Sequence, residues 1–272
     1  MILGRCKAAY AAADTQVKKE DLMDAIPTCH GRVALITGSG RGIGRSTALT
    51  LAREGSAIVV NYLQDDVAAS DLVDHIRARG GIAVAIRADV HRSDDCHRLV
   101  AEATQSLGPV DICIVSPGAE WRMGPVHKIE PVGAVEDVRR EVAPLFELLP
   151  LVLPGMYERK WGRLIGMSMQ LNHAYNVHAL SYEAGKAART AAIRFTRDQA
   201  FHHNVTVNVV APGPVAKPET LAQAIELCDH GPAWHNRPDL SAQDIAEGIA
   251  FLCSDAGRHV TGCELSYVPH KF

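Results

Sequence analysis

Tyr182 and Lys186 stand four residues apart in a segment, Ser181–His202, whose small, helix-forming residues predict a helix, so the two side chains share one face. A free tyrosine titrates near ~10 and is protonated at neutral pH. A neighbouring ammonium stabilises the phenolate, which lets the hydroxyl exchange a proton with a substrate alcohol or carbonyl. Taken alone, such a pair is as readily an ordinary helix-surface pair. A second cluster gives it context. Thr37-Gly38-Ser39-Gly40-Arg41-Gly42-Ile43-Gly44 follows a short apolar run and leads straight into helix-forming sequence. Glycines permit a tight turn and let the backbone approach a pyrophosphate, and the helix N-terminus adds unpaired N–H groups and a favourable dipole. A plain structural turn has the same composition; the position between buried strand and helix is what the phosphate reading requires.

The elements that must position these residues are legible as an alternation. Apolar runs at 33–37, 57–61, 82–88, 110–115, 163–168, 205–210 and 263–268 read as strands. Helical segments fall at 43–54, 67–79, 94–107, 132–160, 181–202 and 242–254, several of them ended by glycine. Strands apolar on both faces and separated by helices indicate a parallel sheet covered on both sides, a doubly wound α/β fold in one domain. Pro144 and Pro150 are expected to kink the long fourth helix. Residues 1–30 read as an N-terminal extension ahead of a domain spanning 31–272, and 216–235, with Pro218 and Pro232, reads as an irregular flap within about 214–238.

Composition narrows the function classes. The 272 residues are 47% hydrophobic and carry 28 basic against 31 acidic residues, a formal net charge of −3. No Lys/Arg run exceeds a pair, which argues against nucleic acid or an anionic membrane as partner. No apolar stretch reaches the ~20 residues of a membrane-spanning helix. Seven cysteines are scattered without a CxxC pair, which suits buried thiols in a reduced, cytoplasmic setting. Thirteen histidines show no HxH or HExxH spacing, so no metal site is expected.

In order and spacing, these features resemble the short-chain dehydrogenase/reductase family over nearly all of 32–268. The glycine loop is similar to its TGxxxGxG pattern, Asp89-Val90 to its adenine-contacting acidic position, and Tyr182-x-x-x-Lys186 to its YxxxK. Asn208-Val209-Val210-Ala211-Pro212-Gly213 resembles its NxxxPG segment, while Asp244-Ile245-Ala246, Leu252-Cys253-Ser254-Asp255 and Thr261-Gly262 resemble its C-terminal signature. The resemblance implies a Rossmann-type fold, Tyr182 and Lys186 as catalytic residues, and a nicotinamide cofactor. Its contacts are implied at Gly38, Ser39, Arg41, Gly42, Ile43, Gly44, Asn61, Asp89, Val90, Gly118, Lys186, Pro212, Gly213 and Val215. It also implies a small-molecule substrate and a homodimer or homotetramer built on the long fourth and fifth helices. The second strand ends Val59-Val60-Asn61-Tyr62 without a carboxylate for a ribose 2′-hydroxyl, and Arg41 is placed to reach a 2′-phosphate. NADP(H) is therefore favoured over NAD(H), with Arg41 as a solvated loop residue the alternative.

The chain departs from the family pattern around the substrate. Thirteen residues before Tyr182, where relatives carry a hydrogen-bonding serine, stands Met169, whose thioether donates nothing. Losing one such donor costs roughly 3–4 kcal/mol of transition-state stabilisation. Ser168 is adjacent but points to the opposite face unless the strand end bulges. Gln170, Asn172, His173 and Tyr175 follow and carry donors. The helical asparagine of relatives aligns with Glu141, the NNAG stretch reads Val115-Ser116-Pro117-Gly118, and the threonine five residues past the PG proline is Lys217. Glu120, Trp121, Arg122, Met169, Gln170 and His173 are the pocket-lining candidates. Three readings follow: an NADP(H)-dependent carbonyl/hydroxyl oxidoreductase with Tyr182 as proton donor; a non-redox dehydratase, isomerase or cyclase using Glu141 or His173; and a catalytically inactive cofactor-binding subunit.

Overall fold

A computed structural model describes residues 29–118, 122–169, 179–230 and 240–268. Its elements are β1 (Val33–Ile36), α1 (Gly42–Arg53), β2 (Ala57–Tyr62), α2 (Asp66–Ala78), β3 (Ala83–Arg87), α3 (Ser93–Leu107), β4 (Ile112–Val115), α4 (Pro131–Glu158), β5 (Gly162–Met167), α5 (Leu180–Phe201), β6 (Val205–Pro212), α6 (Leu221–His230), α7 (Ala242–Cys253) and β7 (Glu264–Tyr267). The seven strands form one sheet in the order β3-β2-β1-β4-β5-β6-β7, every pairing parallel. The order reverses between β1 and β4. In such sheets the crevice beyond the strand ends at that reversal is the natural ligand site.

Alternate residues of one strand enter opposite layers. In β1, Ala34 and Ile36 join the core beneath α1, α2 and α7, whereas Val33 and Leu35 join the core beneath α3, α4 and α5. A central strand here must be apolar at every position, which is why its sequence carries no alternation. The edge strand β3 behaves differently. Ala83 and Ile86 are buried while Ala85 and Arg87 are exposed, so the expectation of two apolar faces fails where only one neighbouring strand exists.

One further expectation is corrected. The flap at 216–235 is not wholly irregular: Leu221–His230 is helical. Leu221, Ala224, Ile225 and Cys228 have helical spacing and pack on the core, and the Thr220 hydroxyl accepts from Gln223 N–H at 3.2 Å at the helix start. Residues 231–239 lie outside the described residues. The long fourth helix spans Pro131–Glu158 with Pro144, Pro150 and Pro154 inside it and Pro131 in its first turn. The extension over 1–28 also falls outside the described residues, but Cys29 is buried and its carbonyl accepts from the Ser56 hydroxyl at 3.0 Å.

Two C-terminal motifs act as braces. Asp244 and Ser241 form a reciprocal capping box at the start of α7, with Asp244 Oδ2 accepting from Ser241 N–H at 2.9 Å. Asn208 donates from Nδ2 to the Val260 carbonyl at 2.8 Å and accepts from Cys263 N–H at 3.1 Å, which fixes the approach to β7.

Candidate active site

The glycine loop sits at the C-terminal end of β1, over the reversal of strand order. Thr37 ties the ends of β1 and β4 together: its N–H and hydroxyl both donate to the Ile114 carbonyl, at 3.0 and 3.1 Å, and its Oγ1 accepts from Ser116 N–H at 3.0 Å. Ser39 is buried, its hydroxyl donating to the Ile36 carbonyl at 2.9 Å. Arg45, one turn into α1 and almost fully buried, grips the loop from behind by donating from Nε and Nη2 to the Gly40 carbonyl at 2.9 and 2.6 Å. Nothing in the spacing of the sequence marked Arg45.

Asn61 takes its place in this construction. Its Oδ1 accepts from Gly38 N–H at 3.1 Å and its Nδ2 donates to the Ala88 carbonyl at 3.1 Å, with the residue 2% exposed. Both polar ends are engaged within the protein, so Asn61 braces the loop. Gly44 lies so close to the loop that a Cβ there would stand 2.8 Å from the Gly38 carbonyl oxygen, and only glycine allows this approach. Gly42 has φ +55°, the left-handed region, and the nearest side chain over it is that of Lys217. Arg41 precedes α1 in extended conformation, exposed, and supplies no side-chain cap. The first-turn amides of Gly42, Ile43 and Gly44 thus have neither carbonyls four residues back within the helix nor a capping side chain. An uncapped helix start beneath a bare glycine fits a phosphate group.

Around the loop, Asp89 accepts from the backbone and the ring of His91, the latter at 2.9 Å, and these bonds hold its carboxyl below the usual range against the opposing effect of partial burial, which is the largest single influence. Val90 is buried in the core. Pro212 ends β6, Gly213 N–H donates to the Tyr267 carbonyl at 3.0 Å, and Val215 is half-buried beside them.

The second part of the site lies at the end of β5. Its framework is α5, whose first turn is pinned by the Ser181 hydroxyl donating to Asp137 of α4 at 2.8 Å; Arg122 reaches the other Asp137 oxygen at 3.2 Å. One turn on, Lys186 is buried, and its Nζ lies 5.2 Å from the centre of the Tyr182 ring. Nζ donates to the Met167 carbonyl at 3.4 Å and pairs with Glu141 Oε2 at 3.1 Å. Arg189, a further turn along α5, is fully buried. It donates to the carbonyls of Glu141 (2.7 Å), Met167 (2.9 Å) and Pro117 (2.6 Å), and pairs with Glu141 Oε2 at 3.2 Å. One side chain therefore joins α4, β5 and the segment after β4. Its spacing from Tyr182 and Lys186, seven and three residues, places it on their face of the helix and was readable in the sequence.

Burial first, then Glu141, push the Tyr182 hydroxyl up to about 12, with Arg189 opposing, and the Lys186 charge is shared with the Glu141 carboxylate. Burial, with Arg189 next, pulls Lys186 down to about 8, and Glu141 resists that change. Glu141 is completely buried behind Lys186, so its carboxylate does not face a substrate. Gly118 is its neighbour: a Cβ there would overlap the carboxylate.

Met169, at the position where the sequence resemblance leads one to expect a serine, is half-buried. Ser168 gives no replacement donor. It continues the ladder through its N–H to the Val210 carbonyl at 2.8 Å, and its hydroxyl bonds to Thr190 at 2.7 Å and the Lys186 carbonyl at 3.3 Å. Gln170, Asn172, His173 and Tyr175, and likewise Glu120 and Trp121, lie outside the described residues. Arg122, Met123, Val126, Ile129, Asp137 and Ser181 line a cavity of about 180 Å³.

Residues 32–226 match the family model described as short chain dehydrogenase. The chain belongs to this family. Among short-chain dehydrogenases it is 34% identical over 231 residues to the hydroxynaphthalene reductase-like protein Arp2 of Metarhizium acridum, covering 82% of this chain and 81% of that one. It is 33% identical over 241 residues to the 7alpha-hydroxysteroid dehydrogenase of Escherichia coli, covering 85% and 91%. A solved structure of a 7 alpha-hydroxysteroid dehydrogenase complexed with NADH and 7-oxo glycochenodeoxycholic acid superposes with a TM-score of 0.76 at 28% identity, over 88% of this chain and 94% of that one. The described residues thus have the short-chain dehydrogenase fold, and among them no helix is long and apolar enough to cross a membrane.

Proposed function

We propose that the protein is an NADP(H)-dependent oxidoreductase that works chiefly as a carbonyl reductase, with Tyr182 as proton donor. The observation that carries the reading is a phenol kept protonated beside a buried ammonium, on the strand end next to a helix start built for phosphate. When bound, the cofactor would supply the hydride for the carbonyl carbon. The amides of Gly42, Ile43 and Gly44 would hold its phosphates, and the exposed Arg41 would meet a 2′-phosphate. Lys217, whose stem lies 3.5 Å from the position a Gly42 Cβ would take, adds a cation on the same side.

In the reaction Tyr182 Oη gives its proton to the carbonyl oxygen as the alcohol forms. Lys186 Nζ restores the proton to the phenolate. The second hydrogen bond to the substrate oxygen, which Met169 lacks, falls to a donor among Gln170, Asn172, His173 and Tyr175. Two relatives carry the names of enzymes for ring-fused compounds, a hydroxynaphthalene and a hydroxysteroid. Fused-ring ketones are therefore the substrate class proposed for this chain. A homo-oligomer is proposed through α4 and α5, where Val132, Val135, Phe146 and Phe195 are exposed. Buried free thiols at Cys29, Cys96, Cys113, Cys228 and Cys253 support a cytoplasmic setting.

The test is fluorescence titration with NADPH and NADH, with Gly42→Asp as a control that puts a side chain and a negative charge into the cradle. NADPH binding about tenfold tighter than NADH, abolished in the control, is expected; equal affinities would remove the NADP(H) preference. No binding to the unaltered protein would end the oxidoreductase reading. With a fused-ring ketone, Tyr182→Phe is expected to retain NADPH binding and lose about 10²–10⁴ in turnover.

A further inference from the structure

Two cations converge on one carbonyl beneath the reactive pair. Lys186 Nζ and Arg189 Nη1 both donate to Met167 O, at 3.4 and 2.9 Å; Arg189 is fully buried, and Lys186 keeps only a 4% exposed edge. Such an arrangement favours loss of a proton from the weaker base, because burial removes the hydration that stabilises each charge and the like charges repel. A single carboxylate oxygen, Glu141 Oε2, lies 3.1 Å from one cation and 3.2 Å from the other. The surroundings leave space for it. Gly118 and Gly185 lack side chains at the two places where a Cβ would run into Glu141.

We propose that Glu141 is the positioning residue of Lys186, a buried counter-ion that keeps the ammonium charged and held beside Tyr182 in spite of Arg189. This rests on the reading of Tyr182 and Lys186 as the proton-exchanging pair. The groups facing Lys186 are Tyr182 and Arg189 from its own helix, Glu141 from α4, the Met167 carbonyl from β5 and Lys217 from the segment after β6. Of these Glu141 is the one anion. The proton balance gives it a purpose. Each time Tyr182 Oη releases its proton to a substrate oxygen, an N–H of Lys186 must pass a proton to the phenolate, leaving a neutral amine that recovers its proton from water. An amine already neutral at working pH has none to give. Glu141 is fully buried and pairs with Arg189 as well as with Lys186, so it acts on the reaction through these neighbours and not on the substrate itself.

The test reads the lysine directly. Acetic anhydride reacts with the neutral amine, so competitive labelling across pH, followed by mass spectrometry of the Lys186 peptide, gives its titration midpoint without cofactor or substrate. Glu141→Gln, checked for folding by circular dichroism, is expected to lower that midpoint by about 1–3 pH units. A folded Glu141→Gln protein with the unaltered midpoint would overturn the proposal. If Glu141→Gln fails to fold, Glu141→Asp keeps the carboxylate but draws it back by one methylene. A smaller downward shift supports the proposal, and no shift overturns it. Because labelling needs no cofactor, failure here is distinct from failure of the oxidoreductase reading, which shows as absent NADPH binding in the unaltered protein.

Discussion

The two halves of the site are held by different physics. The phosphate loop is assembled mostly from neutral hydrogen bonds: Thr37 to the end of β4, Ser39 to β1, Asn61 to Gly38 and to the end of β3. The Tyr182–Lys186 end rests on buried charge, with Arg189 spanning three carbonyls and Glu141 balancing two cations. Neutral braces tolerate the loss of one member, since the remainder still satisfies most of the backbone. Buried charges do not, because removing one partner leaves the other uncompensated where water cannot reach it. At the charged end each group requires another: a glutamate at 141 is tolerable in this interior because Lys186 and Arg189 are there to meet it.

The sharpest way to break this comparison is at Arg189. Arg189→Met is expected to cost about 3–5 kcal/mol in urea unfolding, by stranding three carbonyls and half of the Glu141 charge balance. A loss near that of an ordinary surface substitution would show that the charged framework carries little of the stability.

A pH series separates the halves next. Lys186 is held near 8 in the folded protein and titrates near ~10.4 when unfolded. Between these values the unfolded chain binds more protons, so the contribution of this site to stability rises with pH through that window and is lowest below it. The buried thiols shift in the opposite sense, so the measure is unaltered protein minus Lys186→Met, each by urea unfolding from pH 7 to 10. The difference should move in favour of the unaltered protein above pH about 8, while its NADPH affinity falls as the ammonium is lost.

The smallest expected effect is at the neutral brace. Asn61→Ala removes one acceptor and one donor and should cost about 1–2 kcal/mol of stability, with NADPH binding weakened but retained. A loss as large as that at Arg189 would erase the distinction between the halves.

The order of strands and helices was legible because each central strand is buried on both faces and each helix is closed by glycine or polar residues. The glycine loop was legible for a related reason: its backbone conformation is one that only certain residues permit. Edge strand β3 and helix α6 were read less well, since one-sided burial and a proline-flanked helix look alike to a local pattern. At the site, the sequence placed Tyr182 and Lys186 on one face but did not show the burial and, next to it, the Glu141 carboxylate, forty-one residues earlier in the chain, that push the phenol up.

The amino-acid sequence by itself determined the doubly wound architecture, the phosphate cradle and the Tyr182–Lys186 face, all consequences of local geometry and short-range spacing. Only the tertiary structure decided what surrounds them: that Asn61 braces the loop, that Ser168 is already engaged with Thr190, and that Glu141 stands between Lys186 and Arg189. Those outcomes depend on which distant segments meet in a water-poor interior, where a charge or a hydrogen bond takes its strength from every neighbour at once.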